Sequence, residues 1–283
     1  GHLSDEEDAT ISVLDRGFLY GDSVYEVLRT YGGRPFALAE HFNRLERSAS
    51  LLDIPLPISR SALIDEVHDA TESAGNDESY VRVIITRGGG PIGLDPALAT
   101  RANRVIIVTT LKLLDEETYT RGVKVCVVAA GRSSAGQLPA GAKSGNYLTN
   151  LLALRLAKQR GAQEALLLDA EGRICEGSSS NIFTLRDGVI RTPTLEVGIL
   201  EGITRCKVLT LAREAGFAVE ETDIRPEDLY GADEVFLTST IREVLAVTQV
   251  DDTTIAEGHP GPIARKLRAD LRAIATIPPP LEP

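Results

Sequence analysis

Apolar and polar positions follow two blocks along the chain, each mixing the period of a strand with the period of a helix. In the first block, the apolar runs 80–88 and 103–111 have strand length, whereas 39–54 and 59–75 carry apolar residues at helical spacing. Shorter strands are predicted at 9–15, 23–31 and 33–40, with a Gly-Gly turn joining the last two. This block predicts a small α+β domain.

The second block follows a polar segment, 116–122, which we interpret as a linker. Apolar strands and amphipathic helices then alternate, as in α/β proteins. The predicted elements are strands at 123–130, 234–240 and, in pairs, 164–177 and 180–193, and helices at 146–161, 202–216 and 261–275. The chain is therefore predicted to be α/β (α+β), with a small domain over 1–115 and a larger one over 123–283.

Composition narrows the function classes. The chain has 283 residues and a formal net charge of −11, which argues against nucleic acid or an anionic membrane surface as a partner. No apolar run reaches about 18 residues, the length that spans a bilayer, and the first ten residues lack the apolar segment of a signal peptide. The three cysteines and four histidines show no metal-ligand spacing. We expect a cytoplasmic protein without a metal site.

One lysine stands in an unusual place. The chain has only six lysines, and Lys143 lies among small residues in the string GAKSGNY, directly before a predicted helix. Small neighbours let a bulky group approach the amine, which attacks carbonyl carbons once it loses its proton. The alternative is an ordinary exposed loop lysine. A lysine that forms a Schiff base implies pyridoxal 5'-phosphate, which also requires an anion cradle and a carboxylate near its pyridine nitrogen.

Other segments offer these two features. Gly202 precedes a predicted helix whose first N–H groups, at Ile203 and Thr204, can bind a phosphate, although a simple helix cap is the alternative. Ser239 and Thr240 end a buried strand, where α/β proteins bind ligands. Arg44 could complete the cradle, or it could be a solvated helix residue.

A carboxylate comes from the string RICEGSSSNIF. Glu176 ends an apolar strand before a Gly-Ser run, and beside a pyridine nitrogen it would keep the ring protonated. The alternative is a glutamate in an ordinary turn.

The ordered set of strings LDRGFLYGDSVYEVLR, HFNRLERSA, AKSGNYLTN, EGSSSNIF, GITR and DEVFLTST resembles the fold-type IV pyridoxal-phosphate enzymes, the class-IV aminotransferases. The resemblance covers nearly the whole chain. It implies a two-domain fold with the cofactor between the domains, Lys143 as the catalytic Schiff-base lysine, and a homodimer. The cofactor-binding residues that it implies are Arg44, Lys143, Tyr147, Glu176, Ser179, Asn181, Ile203, Thr204, Ser239 and Thr240.

The resemblance also bears on the substrate. Tyr80 and Arg82 match the Tyr-x-Arg pair of branched-chain L-amino-acid aminotransferases. D-amino-acid aminotransferases carry an Arg-x-His carboxylate trap where this chain has Ile92 and Leu94, although the VYEV string is shared with them. The implied substrate-binding residues are Tyr25, Arg29, Tyr80, Arg82, Thr240 and Ile241.

We therefore predict a ping-pong transaminase that acts on a branched-chain L-amino acid and a 2-oxo acid such as 2-oxoglutarate. The alternatives within the family are a D-amino-acid or (R)-amine transaminase and an aminodeoxychorismate lyase. A non-catalytic α/β protein that binds another phosphorylated ligand is the alternative outside it. The Gly/Ser-rich segment 131–141 is interpreted from its composition as a mobile lid.

Overall fold

A computed structural model describes residues 1–129 and 141–277. Contacts divide the described residues into two compact units, one of residues 1–112 with 142–146 and the other of residues 113–129, 141 and 147–277. The segment that contains Lys143 thus packs with the first unit, although both of its chain neighbours belong to the second. The predicted lid, 131–141, lies outside the described residues except for Gly141.

The first unit is an antiparallel sheet of four strands in the order β2-β1-β3-β4, with three helices. Its strands are β1 (Ser23–Tyr31), β2 (Arg34–Pro35), β3 (Ser79–Gly89) and β4 (Arg101–Thr110). Its helices are α1 (Arg16–Tyr20), α2 (Leu38–Leu51) and α3 (Arg60–Ala74), and two 3₁₀ turns lie at Glu6–Asp8 and Pro96–Leu98.

Alternation along the strands decides which face of this sheet is buried. Val24 and Leu28 of β1 and Val81 of β3 lie in one apolar core with Phe42 and Leu45 of α2. Residues that alternate with these, such as Tyr25 and Arg29 of β1, point to the opposite face. The helix signals act as the sequence predicts for α3: Ser59 accepts from the N–H of Ala62, and Gly75 takes a left-handed conformation at the end of the helix.

The second unit contains a nine-stranded mixed sheet in the order β10-β9-β8-β11-β12-β5-β6-β7, with β13 paired to β12. Its strands are β5 (Val123–Val128), β6 (Glu164–Leu168), β7 (Ile174–Gly177), β8 (Asn181–Arg186), β9 (Val189–Thr192), β10 (Ala218–Glu221), β11 (Glu234–Ser239), β12 (Glu243–Val250) and β13 (Thr253–Thr254). Its helices are α4 (Glu116–Arg121), α5 (Leu148–Gln159), α6 (Ile203–Glu214), α7 (Pro226–Tyr230) and α8 (Pro262–Thr276), with 3₁₀ turns at Leu195–Val197 and Ala256–Gly258.

Two strand predictions are wrong. Residues 9–15 form no strand, and Asp15 instead caps α1 by accepting from the N–H of Gly17. In 33–40 only Arg34–Pro35 pairs with β1, because α2 begins at Leu38 and takes the apolar residues that follow into a helix face. The predicted linker, 116–122, contains the helix α4. The predicted domain boundaries stay a prediction.

Among the described residues, no helix combines the length and the apolar character needed to cross a bilayer.

Candidate active site

Lys143 is held by its backbone on the open edge of β1. The carbonyl of Lys143 accepts from the N–H of Tyr25 at 3.0 Å, and the N–H of Gly145 donates to the carbonyl of Ser23 at 2.9 Å. The N–H of Lys143 donates to Ser48 Oγ of α2 at 3.1 Å. Since β2 pairs only with residues 30 and 31 of β1, the other end of this edge is available to the lysine segment.

Two glycines allow this close approach. A Cβ built on Gly145 would collide with Ser23 Oγ, and Gly21, with φ of +68°, faces the Asn146 amide. Glycine is the residue that adopts a positive φ without strain. The strings GDS (21–23) and SGN (144–146) therefore pack closely, because the glycine in each segment has no side chain at the contact.

The side chain of Lys143 reaches the sheet face opposite the apolar core. Its Nζ lies 4.6 Å from the centre of the Tyr25 ring, and the Arg82 guanidinium carbon lies 4.0 Å from the same centre. Strand register places Arg29 opposite Tyr80. Lys143 and the four predicted substrate residues of β1 and β3 are thus together in the first unit. Arg29 is buried, with its guanidinium over the Tyr31 ring at 4.0 Å.

Arg44 of α2 lies on the core side of β1. It forms an ion pair with Glu26 that was not predicted from the sequence. Its Nε and Nη2 each donate to a different oxygen of Glu26 at 2.7 Å, and His41 Nδ1 lies 2.7 Å from Glu26 Oε2. Burial by itself raises the pKa of Glu26, but hydrogen bonds and charge from Arg44, with His41, bring the pKa down to about 2. Arg44 is also one helical turn from Ser48, the residue that holds Lys143.

A signal for Glu26 was present in the sequence. Between Val24 and Leu28, it occupies a core-facing position of a strand, and a buried carboxylate needs a cationic partner.

Glu176 lies at the end of β7 in the second unit and is 8% exposed. Its Oε2 accepts from the N–H of Leu200 at 3.1 Å, and Asn181 Nδ2 lies 3.5 Å from the same oxygen. Asn181 also donates to the carbonyl of Leu200 at 2.9 Å. The Asn181 amide therefore ties Glu176 to the segment that leads into α6.

The α6 N-terminus is suited to an anion. Gly202 is its N-cap, within the described chain no side chain caps it, and a Cβ on Gly202 would collide with Asn181 Oδ1. The N–H groups of Ile203 and Thr204 thus stand at the positive end of a twelve-residue helix, and Thr204 is buried. Buried Thr238 Oγ1 has no hydrogen-bond partner in the described chain. The free N–H groups of this helix N-terminus fit a phosphate group.

The other predicted residues of the second unit are near strand and helix ends. Ser239 ends β11, and Thr240 and Ile241 belong to the three-residue loop before β12. Tyr147 is the N-cap residue of α5. Ser179 is exposed, in the turn between β7 and β8. Sequence reasoning missed Glu164 and Arg242, which contact this turn.

Among the described residues, no group of histidine, cysteine, aspartate and glutamate side chains could hold a metal ion.

Comparison with known proteins identifies the family of this chain. The family described as amino-transferase class IV matches residues 23–250. The chain belongs to this family. The branched-chain-amino-acid aminotransferase of Pseudomonas aeruginosa is 38% identical over 278 residues, covering 95% of this chain and 89% of the relative. The D-alanine aminotransferase of Bacillus licheniformis is 34% identical over 278 residues, covering 96% and 94%.

Solved structures of branched-chain aminotransferases are similar to this chain over almost its whole length. The branched-chain amino acid aminotransferase of Escherichia coli superposes with a TM-score of 0.93 at 32% identity, covering 98% of this chain and 93% of that one. The T.th. enzyme of the same name, in complex with N-(5'-phosphopyridoxyl)-L-glutamate, gives a TM-score of 0.91 at 34% identity, covering 99% and 93%. The predicted α/β fold and the predicted aminotransferase class are confirmed. The predicted cofactor agrees with the phosphopyridoxyl ligand of the second structure, and the roles of individual site residues stay predictions.

Proposed function

We propose that this class-IV aminotransferase uses pyridoxal 5'-phosphate to move an amino group from a branched-chain L-amino acid to a 2-oxo acid such as 2-oxoglutarate. The observation that carries the proposal is the position of the Lys143 amine, 4.6 Å from the Tyr25 ring on the sheet face that also holds Arg82. Similarity to branched-chain aminotransferases over most of the chain supports the substrate class.

The residues present suit the cofactor. When bound, pyridoxal phosphate supplies an aldehyde that bonds to amines and a ring that stabilises negative charge on the substrate α-carbon. We assign Lys143 to the covalent attachment and Glu176 to the pyridine nitrogen. The proposed phosphate and ring contacts are Arg44, Tyr147, Ser179, Asn181, Ile203, Thr204, Ser239 and Thr240.

Two residues then have defined roles in the reaction, Lys143 and Glu176. Lys143 Nζ removes the proton from the substrate α-carbon and returns it later, because an amine on a flexible stem can act as a general base once it is neutral. Glu176, held by the N–H of Leu200, keeps a negative charge near the pyridine nitrogen. Since the 2-oxo acid product of the first substrate leaves before the second substrate binds, the kinetics should be ping-pong.

The segment at residues 90–95 supports an L-amino acid over a D-amino acid as the substrate. Ile92 and Leu94 are 75% and 81% exposed. Buried Arg16 donates to the carbonyls of Gly93 and Leu94 at 2.8 and 3.1 Å, which fixes the backbone between them. Neither side chain can bind a carboxylate, and this is where D-amino-acid enzymes carry their trap.

A D-amino-acid transaminase is the second candidate. It is favoured by the shared VYEV string around Tyr25 and by the D-alanine relative described above.

A panel of amino donors separates the candidates. Purified protein loaded with pyridoxal phosphate should convert L-valine or L-leucine in the presence of 2-oxoglutarate, with parallel double-reciprocal lines. Turnover of D-alanine or an (R)-amine alone would transfer the assignment to the second candidate. Release of pyruvate from aminodeoxychorismate without transamination would assign a lyase instead.

We also propose a homodimer. Helix α5 of the second unit presents four exposed leucines at helical spacing, with Leu148 and Leu151 being 69% and 60% exposed. Contiguous exposed apolar side chains mark protein interfaces. A cytoplasmic location is proposed from the cysteines, whose spacing is typical of reduced thiols.

A further inference from the structure

Glu164, at the start of β6, is a buried carboxylate that collects hydrogen bonds from several directions. It is 1% exposed. Its Oε1 accepts from the N–H groups of Ala165 at 2.9 Å and Ser178 at 3.0 Å, and from the Ser178 hydroxyl. Its Oε2 accepts from Ser180 Oγ at 3.2 Å and lies 2.8 Å from Arg242 Nη1. The turn at residues 178–180 is thus attached to one carboxylate.

Arg242 links that turn to a second one. Its Nη2 donates to the carbonyl and hydroxyl oxygens of Ser179 at 3.1 and 2.8 Å. Its backbone N–H and its Nε donate to Ser239 Oγ at 3.2 and 3.3 Å. Two donors on the Ser239 oxygen make its own proton point away from Arg242. One guanidinium therefore joins the 178–180 turn to Ser239 at the end of β11, and it belongs to the last residue of the 240–242 loop.

Close packing leaves the 178–180 turn little freedom. The N–H of Gly177 donates to the carbonyl of Ser180 at 2.7 Å. A Cβ on Gly177 would collide with Ser180 Oγ and come within 3.2 Å of the Glu164 carboxyl carbon. Since Gly177 directly follows Glu176, the end of β7 is fixed by the same contacts.

We propose that Glu164 and Arg242 are positioning residues of the active site. They hold the 178–180 turn and the 240–242 loop in register, so that Glu176, Thr240 and Ile241 meet cofactor and substrate in a fixed geometry. This inference rests on the proposed function. Its physical basis is that a buried carboxylate with a paired guanidinium and several hydroxyl donors is rigid, whereas loss of either charge leaves the other uncompensated.

The competing explanation is that the pair only stabilises the fold, and Glu234 supplies a matched control. Glu234 begins β11, whose other end is Ser239. It is 5% exposed and accepts from the N–H groups of Ile263 and Ala264 at 3.0 Å each. It is thus a buried, well-bonded carboxylate in the same sheet, at the opposite end of the strand from the 240–242 loop.

The test compares wild type with Arg242→Met, Arg242→Lys, Glu164→Gln and Glu234→Gln. For each, the dissociation constant of pyridoxal phosphate from the apoenzyme, kcat, KM for the amino donor and Tm are measured. We expect Arg242→Met and Glu164→Gln to raise the cofactor dissociation constant and KM about tenfold, as for groups coupled in one network, with a smaller change in kcat. Arg242→Lys keeps the charge without the forked geometry, so its cofactor dissociation constant and KM should lie between those of wild type and Arg242→Met. Glu234→Gln should lower Tm and leave both constants unchanged.

The inference is overturned if Arg242→Met lowers Tm as Glu234→Gln does while both constants stay at wild-type values. If Arg242→Met does not fold, the same comparison of Tm and the two constants is made with Arg242→Lys. In the double variant Glu164→Gln/Arg242→Met, the cofactor dissociation constant and KM should rise no further than in Arg242→Met alone. If the effects of the two substitutions multiply, Glu164 and Arg242 do not act as one unit. Wild-type protein that neither binds pyridoxal phosphate nor transaminates would refute the proposed function instead.

Discussion

Lys143 and Tyr25 are joined twice, by a 3.0 Å hydrogen bond between their backbones and by the 4.6 Å approach of Nζ to the aromatic ring. The backbone of residue 143 therefore completes the edge of β1 whatever its side chain is. At position 143 the backbone therefore serves the fold, and the side chain is left for the chemistry.

Lys143→Ala should consequently lose activity and keep the fold. Without the amine, general base catalysis and covalent attachment are both lost, so we expect kcat to fall by more than about 1,000-fold. Borohydride reduction should no longer trap cofactor on the protein, and circular dichroism should be unchanged. Lys158→Ala, in the exposed end of α5, is the control. Retained turnover would place the reactive amine elsewhere.

Gly145→Ala should displace the lysine segment from β1. The added methyl collides with Ser23 Oγ, and such overpacking costs about 1–3 kcal/mol. We expect a large loss of activity with a modest fall in Tm, since most of the core of the first unit is elsewhere. The pair Ser23→Gly/Gly145→Ala removes the colliding hydroxyl and should recover part of the activity. Equal activity of single and paired variants would contradict this explanation.

Glu26 makes the first unit sensitive to acid. Its carboxylate binds a proton near pH 4.5 in an unfolded chain and only near pH 2 in the folded one. Between these values unfolding takes up a proton, so the free energy of unfolding falls as the pH falls, by about 3 kcal/mol in total. Burial lowers the pKa of His41, which adds loss of the same sign below about pH 6.5.

Glu26→Gln should flatten this dependence and destabilise the protein at pH 7 by about 3–5 kcal/mol, because Arg44 stays buried without its carboxylate. Glu66 is the matched control. It also takes a forked pair of bonds from an arginine, Arg104, at 2.5 and 2.6 Å, but it is 23% exposed. Glu66→Gln should therefore cost about 1 kcal/mol or less. Denaturant titrations from pH 2 to 7 measure both, and equal effects would contradict the role of burial.

The segment at residues 90–95 should set the preference between L- and D-substrates. Ile92→Arg/Leu94→His introduces the cationic trap of D-amino-acid aminotransferases at side chains that are 75% and 81% exposed, so the fold should tolerate it. We expect the ratio of kcat/KM for D-alanine to that for L-valine to rise about tenfold or more. Ile92→Gln/Leu94→Gln, polar but uncharged, is the control. An equal shift in both variants would exclude a charge effect.

Leu151→Asp should break the proposed homodimer. A charge in the centre of the exposed leucine face of α5 cannot be buried without a large cost. Sedimentation velocity should show a dimer for wild type and a monomer for the variant. Leu195→Asp, at a leucine that is 42% exposed outside this face, should remain a dimer. A monomeric wild type, or a dimeric Leu151 variant, would contradict the interface.

The periodicity of the chain was sufficient to locate most elements of both units. Helix α3 lies within its predicted range, since a serine cap, an apolar stripe and a terminal glycine all act locally. The failures were local as well. Residues 33–40 look like a strand, but the strand ends at Pro35 because α2 starts at Leu38.

By itself the sequence determined the class of protein, because the lysine, the glutamate and the small residues around them occur in fixed strings. Only the tertiary structure decided that Lys143 completes the edge of β1, that Glu26 neutralises Arg44, and that Glu164 joins two turns through Arg242. Propensity and periodicity act over a few residues, whereas Glu164 and Arg242, and Tyr25 and Lys143, meet across long stretches of chain. Such contacts depend on how strands pair and on which charges are buried together. The alternation along β1 indicates that Glu26 is buried, but no local pattern indicates which cation it meets.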